Sequence, residues 1–161
     1  TLYTCTAREF RSGFFRVISS LALTDNILGN ESYFIVEIKS LKRIFDTAEE
    51  GRAPVMCFID EVLRGTNTKE RIAASVQILR KLSEINVLCF AATHDIELTE
   101  LLKDVMDNYH FEETVSGYDV MFDYKLKKGP AETRNAIKLM RAYGFDRDIT
   151  DGAEKLADAL G

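Results

Sequence analysis

Two adjacent carboxylates, Asp60 and Glu61, follow directly on five apolar or small residues, Val55, Met56, Cys57, Phe58 and Ile59. An unbroken apolar run of this length reads as a strand buried on both faces, as in a parallel sheet. Acids at the carboxyl end of such a strand lie where open α/β sheets bind ligands. Beside a dry core they need a metal ion, a cation or a set of hydrogen-bond donors to offset them. One acid can hold Mg2+ through water while its neighbour positions or polarises an attacking water. A second apolar run, Val87–Ala92, ends at Thr93, His94 and Asp95. An imidazole placed there can donate a hydrogen bond to a phosphate oxygen, neutral or charged. The plainer alternatives are a solvated acidic turn and a histidine hydrogen-bonded at a strand end.

These side chains need a frame. After the acids comes a tight polar turn, Arg64-Gly65-Thr66-Asn67-Thr68, and then a helix with Asn67 and Glu70 at capping-box spacing. That helix runs to about residue 84, with Ile72, Val76, Leu79 and Leu82 on one face. Strand, paired acids, polar loop and helix is the build of a Walker B segment in nucleotide hydrolases. Upstream, residues 14–23 read as one or two short strands. Residues 33–50 carry Phe34, Ile38, Leu41, Phe45 and Ala48 at helical period, starting near Ser32 and ending at Gly51-Arg52-Ala53-Pro54. A further helix covers about 95–103. This alternation predicts a mostly parallel sheet with right-handed crossovers.

Residues 109–115 and 119–127 read differently, as an antiparallel hairpin around Ser116-Gly117. In its second arm Val120, Phe122, Tyr124 and Leu126 alternate with Met121, Asp123, Lys125 and Lys127. Pro130 suits the first turn of a helix that carries Ala136, Ile137, Met140 and Tyr143 and ends at Gly144. A last helix, about 151–160, opens with Asp151 and Glu154 at capping-box spacing. The whole reads as an α/β fold in a single domain over 1–161, with a core over about 13–127 and closing helices over about 130–160.

The totals are those of a globular chain: 161 residues, 46% hydrophobic and 29% charged. A net charge of −5 with scattered basic residues argues against this piece being a main DNA-gripping surface. Cys5, Cys57 and Cys89 cannot all pair; Cys57 and Cys89 lie in apolar strand runs and read as small core residues of a reducing compartment. No Cys/His spacing suggests zinc. No apolar stretch reaches membrane-spanning length and no signal peptide is legible, so the expected location is cytoplasmic, without membrane contact.

FIDEVLRGTNTKER followed by FAATHDIELTELL resembles the ATPase domain of the MutS family of DNA mismatch-repair proteins. Those are ABC-type ATPases with DE-x-x-RGT-x-T in the Walker B region and ATH-x-x-EL after it. The resemblance extends over 25–37 (DNILGNESYFIVE) and 124–160, nearly the whole chain. It implies a P-loop NTPase fold, ATP and Mg2+ as cofactors, and pairing of two ATPase domains, with DNA gripped by upstream domains. It implies Glu61 as the catalytic carboxylate, Asp60 as the Mg2+ partner through water, and His94 as the γ-phosphate contact. Arg64, Thr66 and Asn67 match the family's D-loop, which faces the partner's nucleotide. The same three also suit capping and turn formation. Gly29, Asn30 and Ser32 stand at the signature loop. The two closing helices resemble the family's pairing region or serve as ordinary covering helices.

The chain departs from the family at two places. The signature loop reads Gly29-Asn30-Glu31-Ser32, with its glycine one place early and Glu31 where Arg is common. Asn30 can adopt glycine-like backbone angles there, but an acid beside a phosphate is unfavourable. There is no G-x-x-x-x-G-K-[ST] anywhere in the chain. The family has that loop just upstream of the position of Thr1. The expectation is therefore the C-terminal portion of an ATPase domain, binding ATP weakly or not at all in isolation. The competing expectation is a non-hydrolysing dimerisation or interaction module of a MutS paralogue. Another ABC-type ATPase fits the strand and acids but not RGTNT followed by ATHDIEL.

Overall fold

The computed structural model describes residues 8–21, 33–116, 119–131 and 135–160. The chain forms two compact units, Thr1–Met106 and Asp107–Gly161.

The first unit alternates strand and helix: β1 (Arg16–Ser20), α1 (Tyr33–Glu49), β2 (Val55–Asp60), α2 (Thr68–Ser83), β3 (Val87–Ala92) and α3 (Ile96–Leu101). The three strands are parallel in the order β1-β2-β3, with Val55 opposite Arg16 and Val87. Period-two pleating sends Val55, Cys57 and Ile59 to one face, where they pack with Leu41 and Ile44 of α1 and Leu79 and Leu82 of α2. Residues on that face are shut off from solvent; Ile44, Val55, Cys57 and Leu82 are fully buried. Cys57 and Cys89 meet on one rung of the ladder and are both free thiols.

The other face corrects one expectation. Val17, Leu88 and Phe90 are 66%, 45% and 51% exposed, and the Phe58 and Phe90 rings stack at 5.2 Å. Among the described residues α1 and α2 both pack on the Val55–Cys57–Ile59 side; Met56 and Phe58 on the other side of β2 are half-buried, while the flanking strands are exposed there. An apolar run reports that both faces are apolar; it does not say that each has a cover.

The stripe that α1 buries overlaps the one its apolar residues trace and is rotated from it. Its buried residues are Glu37, Ser40, Leu41, Ile44 and Thr47. Phe34 and Phe45 pack against the core at their edges and, with Ile38, Leu41, Leu63 and Ile78, line an open apolar cleft of about 260 Å³. Thr47 can turn inward because its hydroxyl donates to the Arg43 carbonyl at 2.7 Å. α2 begins as its sequence specifies: Asn67 is the N-cap and its side chain accepts from the Glu70 N–H.

The second unit holds β4 (Tyr109–His110), β5 (Glu113–Ser116), β6 (Asp119–Phe122), β7 (Lys127–Lys128), α4 (Ala136–Ala142) and α5 (Arg147–Leu160). β5 pairs with β6 and β4 with β7, both antiparallel. The expected hairpin is therefore present but interrupted. Phe111 and Glu112 separate the ladders on one arm, and Asp123, Tyr124, Lys125 and Leu126 separate them on the other. The extra length is taken up by Tyr124, whose φ is 53°, and by a turn in which Asp123 Oδ1 accepts from the Lys125 N–H at 2.9 Å. Alternation beyond Phe122 consequently fails.

Two helix starts also differ from expectation. Pro130 lies outside any helix; Gly129, at φ +103°, donates its N–H to the Asn108 carbonyl and ties this stretch to the strand end. The last helix begins at Arg147 rather than Asp151, since Asp146 already accepts from the Ile149 and Thr150 N–H groups. Asp151 and Glu154 are not caps: both accept from the Arg141 guanidinium, at 2.7 and 2.6 Å. Gly144, at φ +83°, closes α4 as its sequence indicates.

Candidate functional site

β2 delivers Asp60 and Glu61 to the carboxyl end of the sheet. The Glu61 N–H donates to the Ala92 carbonyl at 2.9 Å, which extends the β2–β3 ladder one residue beyond Asp60. The chain then turns sharply through left-handed angles at two non-glycine residues, Glu61 (φ 56°) and Leu63 (φ 60°). Such angles cost about 1–3 kcal/mol each and persist where the surroundings hold them. Val62 and Leu63 are buried in the core, which anchors the turn.

Three sequence-predicted residues converge here. His94 follows β3 and brings Nε2 to 3.6 Å from Glu61 Oε1. The imidazole is 95% exposed, while the Glu61 side chain is 22% exposed. Asp60 lies on the same lip, joined by Arg64: the guanidinium contacts Glu61 Oε2 through Nε and approaches Asp60 Oδ2 at 3.4 Å. Arg64 thus supplies the countercharge that two neighbouring acids need. Thr66 and Asn67 serve the turn: the Thr66 hydroxyl donates to Glu70 Oε2 at 3.2 Å and Asn67 caps α2. Gly29, Asn30 and Ser32 lie outside the described residues.

Sequence reasoning missed four contributors. Arg71 on α2 donates twice to Asp95, from Nε at 2.9 Å and from the guanidinium NH2 at 2.5 Å. Asp95 in turn donates its N–H to the Thr93 hydroxyl at 3.0 Å. This pairing brackets His94 and fixes the backbone that carries it. Asp95 is consequently the N-cap of α3 without a side-chain capping bond. Glu37 of α1 is 2% exposed, and its Oε1 accepts the Leu63 N–H at 2.5 Å and the Arg64 N–H at 3.4 Å. Burial holds the Glu37 carboxyl above its ordinary value of 4.5, against the lowering effect of the two N–H donors. The signal available was an acid falling on the Leu41–Ile44 side of a helix. The Arg71–Asp95 pair has no such signal.

The described residues gather no group of three or more His, Cys, Asp or Glu around a common point for a metal ion. A Mg2+ held by one carboxylate together with water and phosphate oxygens requires no such group. The partly exposed Asp60 carboxylate suits that role, provided Arg64 moves aside. The chain offers no P-loop lysine for the phosphates.

The fold is an open parallel α/β sheet with its polar residues at the strand carboxyl ends. The model of MutS domain V matches residues 6–161. The chain is 33% identical over 150 residues to the DNA mismatch repair protein MutS of Natronomonas pharaonis, covering 91% of the chain and 17% of that protein. It is 30% identical over 148 residues to DNA mismatch repair protein MutS 2 of Haloarcula marismortui, covering 89% and 15%. It is also 30% identical over 163 residues to DNA mismatch repair protein MSH3 of Saccharomyces cerevisiae, covering 96% and 16%. The chain belongs to the MutS family, in its domain V, the P-loop ATPase domain of those proteins. It spans about a sixth of the length of these curated relatives.

Proposed function

We propose that this chain supplies the Walker B, D-loop, H-loop and signature-loop part of a mismatch-repair ATPase domain whose hydrolysis is coupled to DNA binding in a full-length dimer. The observation that carries this reading is the meeting of Asp60, Glu61 and His94 at the carboxyl ends of two adjacent parallel strands. Glu61, turned out of the strand by its left-handed backbone, presents a carboxylate that can accept a hydrogen bond from a water aligned on a phosphate. His94, exposed beside it, can donate to a phosphate oxygen. Asp60 would hold a Mg2+ ion bound with ATP, which would supply positive charge against the phosphates. Arg64, Thr66 and Asn67 face the second nucleotide site of the dimer. By sequence, Gly29, Asn30 and Ser32 are assigned to the signature loop. DNA is held by other domains of the full-length protein, which acts in the cytoplasm.

The test is ATP turnover by the full-length protein with and without DNA, for the parent and for Glu61→Gln. Loss of a positioned general base lowers turnover by about 10²–10⁴-fold, with ATP affinity retained. An unaltered rate overturns the role given to Glu61. The non-hydrolysing pairing module is the second reading. It is favoured by Arg64, which engages both acids. A full-length protein that dimerises but never turns over ATP establishes it.

A further inference from the structure

Glu37 has no place in the chemistry described above, yet it is buried at the back of the site. Its Oε2 is buried with no hydrogen-bond partner among the described residues, and a carboxylate so placed costs free energy. Its Oε1 accepts both N–H groups of the turn that follows Glu61. A second contact lies one step away. Phe34 precedes Glu37 by three residues on α1 and so shares its side of the helix. A Cβ at Gly65 would lie 2.9 Å from Phe34 Cβ and 3.0 Å from Cδ2, so the turn backbone lies directly on that ring. Residues 63–65 are therefore gripped at two points by the first turns of α1. Within that grip sits Arg64, whose guanidinium engages Glu61 and Asp60.

We propose that Glu37 is a positioning residue: it fastens the Leu63–Arg64 backbone to the start of α1 and thereby sets the angle at which Glu61 is presented to water. Glu61 and Leu63 hold left-handed angles that a free turn of these residue types would relax. With the Glu37 acceptor gone, the turn loses the two N–H bonds that hold those angles, and Arg64 shifts with it. This inference rests on the hydrolytic reading of Glu61.

The experiment uses the full-length protein and four variants: Glu37→Ala, Glu37→Gln, Gly65→Ala and Glu61→Gln. Each is checked for fold by circular dichroism, and kcat and KM for ATP are measured. Glu37→Ala is expected to lower kcat at least about tenfold with KM for ATP within about twofold. Glu37→Gln, whose amide oxygen still accepts both N–H groups, retains kcat within about threefold. Gly65→Ala drives Phe34 away and lowers kcat in the manner of Glu37→Ala. Because a smaller folded fraction also lowers apparent kcat at constant KM, each rate is referred to the concentration of active sites, measured by the stoichiometry of ATP binding, before the variants are compared. A folded Glu37→Ala protein with parental kcat overturns the inference, as does a Gln variant as impaired as the Ala variant. Should Glu37→Ala fail to fold, a folded Gly65→Ala protein with parental kcat overturns it equally. Parental turnover by Glu61→Gln brings down both readings. An inactive Glu61→Gln beside a fully active Glu37→Ala brings down only this one.

Discussion

Glu61 owes its placement to neighbours that are themselves held by charge and hydrogen bonding, and each of these can be probed singly. The Glu37 carboxyl is raised above 4.5 by burial. Between 4.5 and that higher value the folded chain binds more protons than the unfolded one. Stability from this group is therefore greatest at low pH and declines as pH rises through the folded value. Glu37→Gln removes the titration. Urea unfolding at about pH 4 and about pH 7.5 is expected to show the Gln variant gaining on the parent at the higher pH; equal differences at both would contradict it. Arg71 makes a different case. Its side chain and that of Asp95 are 24% and 18% exposed, and the pair is bidentate. Arg71→Ala is expected to cost about 1–2 kcal/mol by denaturant unfolding. Arg71→Lys recovers little of it, because an ammonium cannot reproduce the planar fork.

The elements were legible to the extent that a local pattern specified them. β2 and β3 announced themselves as apolar runs ending in polar residues, and α2 by Asn67 and Glu70. Replacing Asn67 by Ala is expected to cost about 1 kcal/mol, read as a lowered unfolding midpoint, because the Glu70 N–H loses its acceptor. α1 shows where patterns mislead. Counting its apolar residues gave a stripe through Phe34, Ile38, Leu41, Phe45 and Ala48, of which Leu41 is buried; the buried side also takes in Glu37, Ser40, Ile44 and Thr47. Ile44→Ala should therefore cost about 2–5 kcal/mol, clearly more than Ile38→Ala, since Ile44 is fully buried and Ile38 is 41% exposed. The interrupted hairpin was hidden for another reason: Tyr124 takes a left-handed angle that its residue type does not advertise. The site shows the same division. Asp60, Glu61 and His94 were legible from strand ends, while Glu37, Arg71 and Asp95 join it through contacts made only once the helices are packed.

At the scale of the molecule, the sheet of the first unit has one side covered by α1 and α2 and, among the described residues, apolar side chains exposed on the other. Val17, Leu88 and Phe90 face solvent on a layer whose reverse is dry core. The chain handled alone should thus behave as a weak surfactant. It is expected to light up anilinonaphthalene sulfonate, to scatter more light as its concentration rises, and to be kept monodisperse by mild detergent. Leu88→Lys with Phe90→Lys should lower dye fluorescence and scattering together, with a modest fall in the thermal midpoint because the Phe58–Phe90 stack is lost.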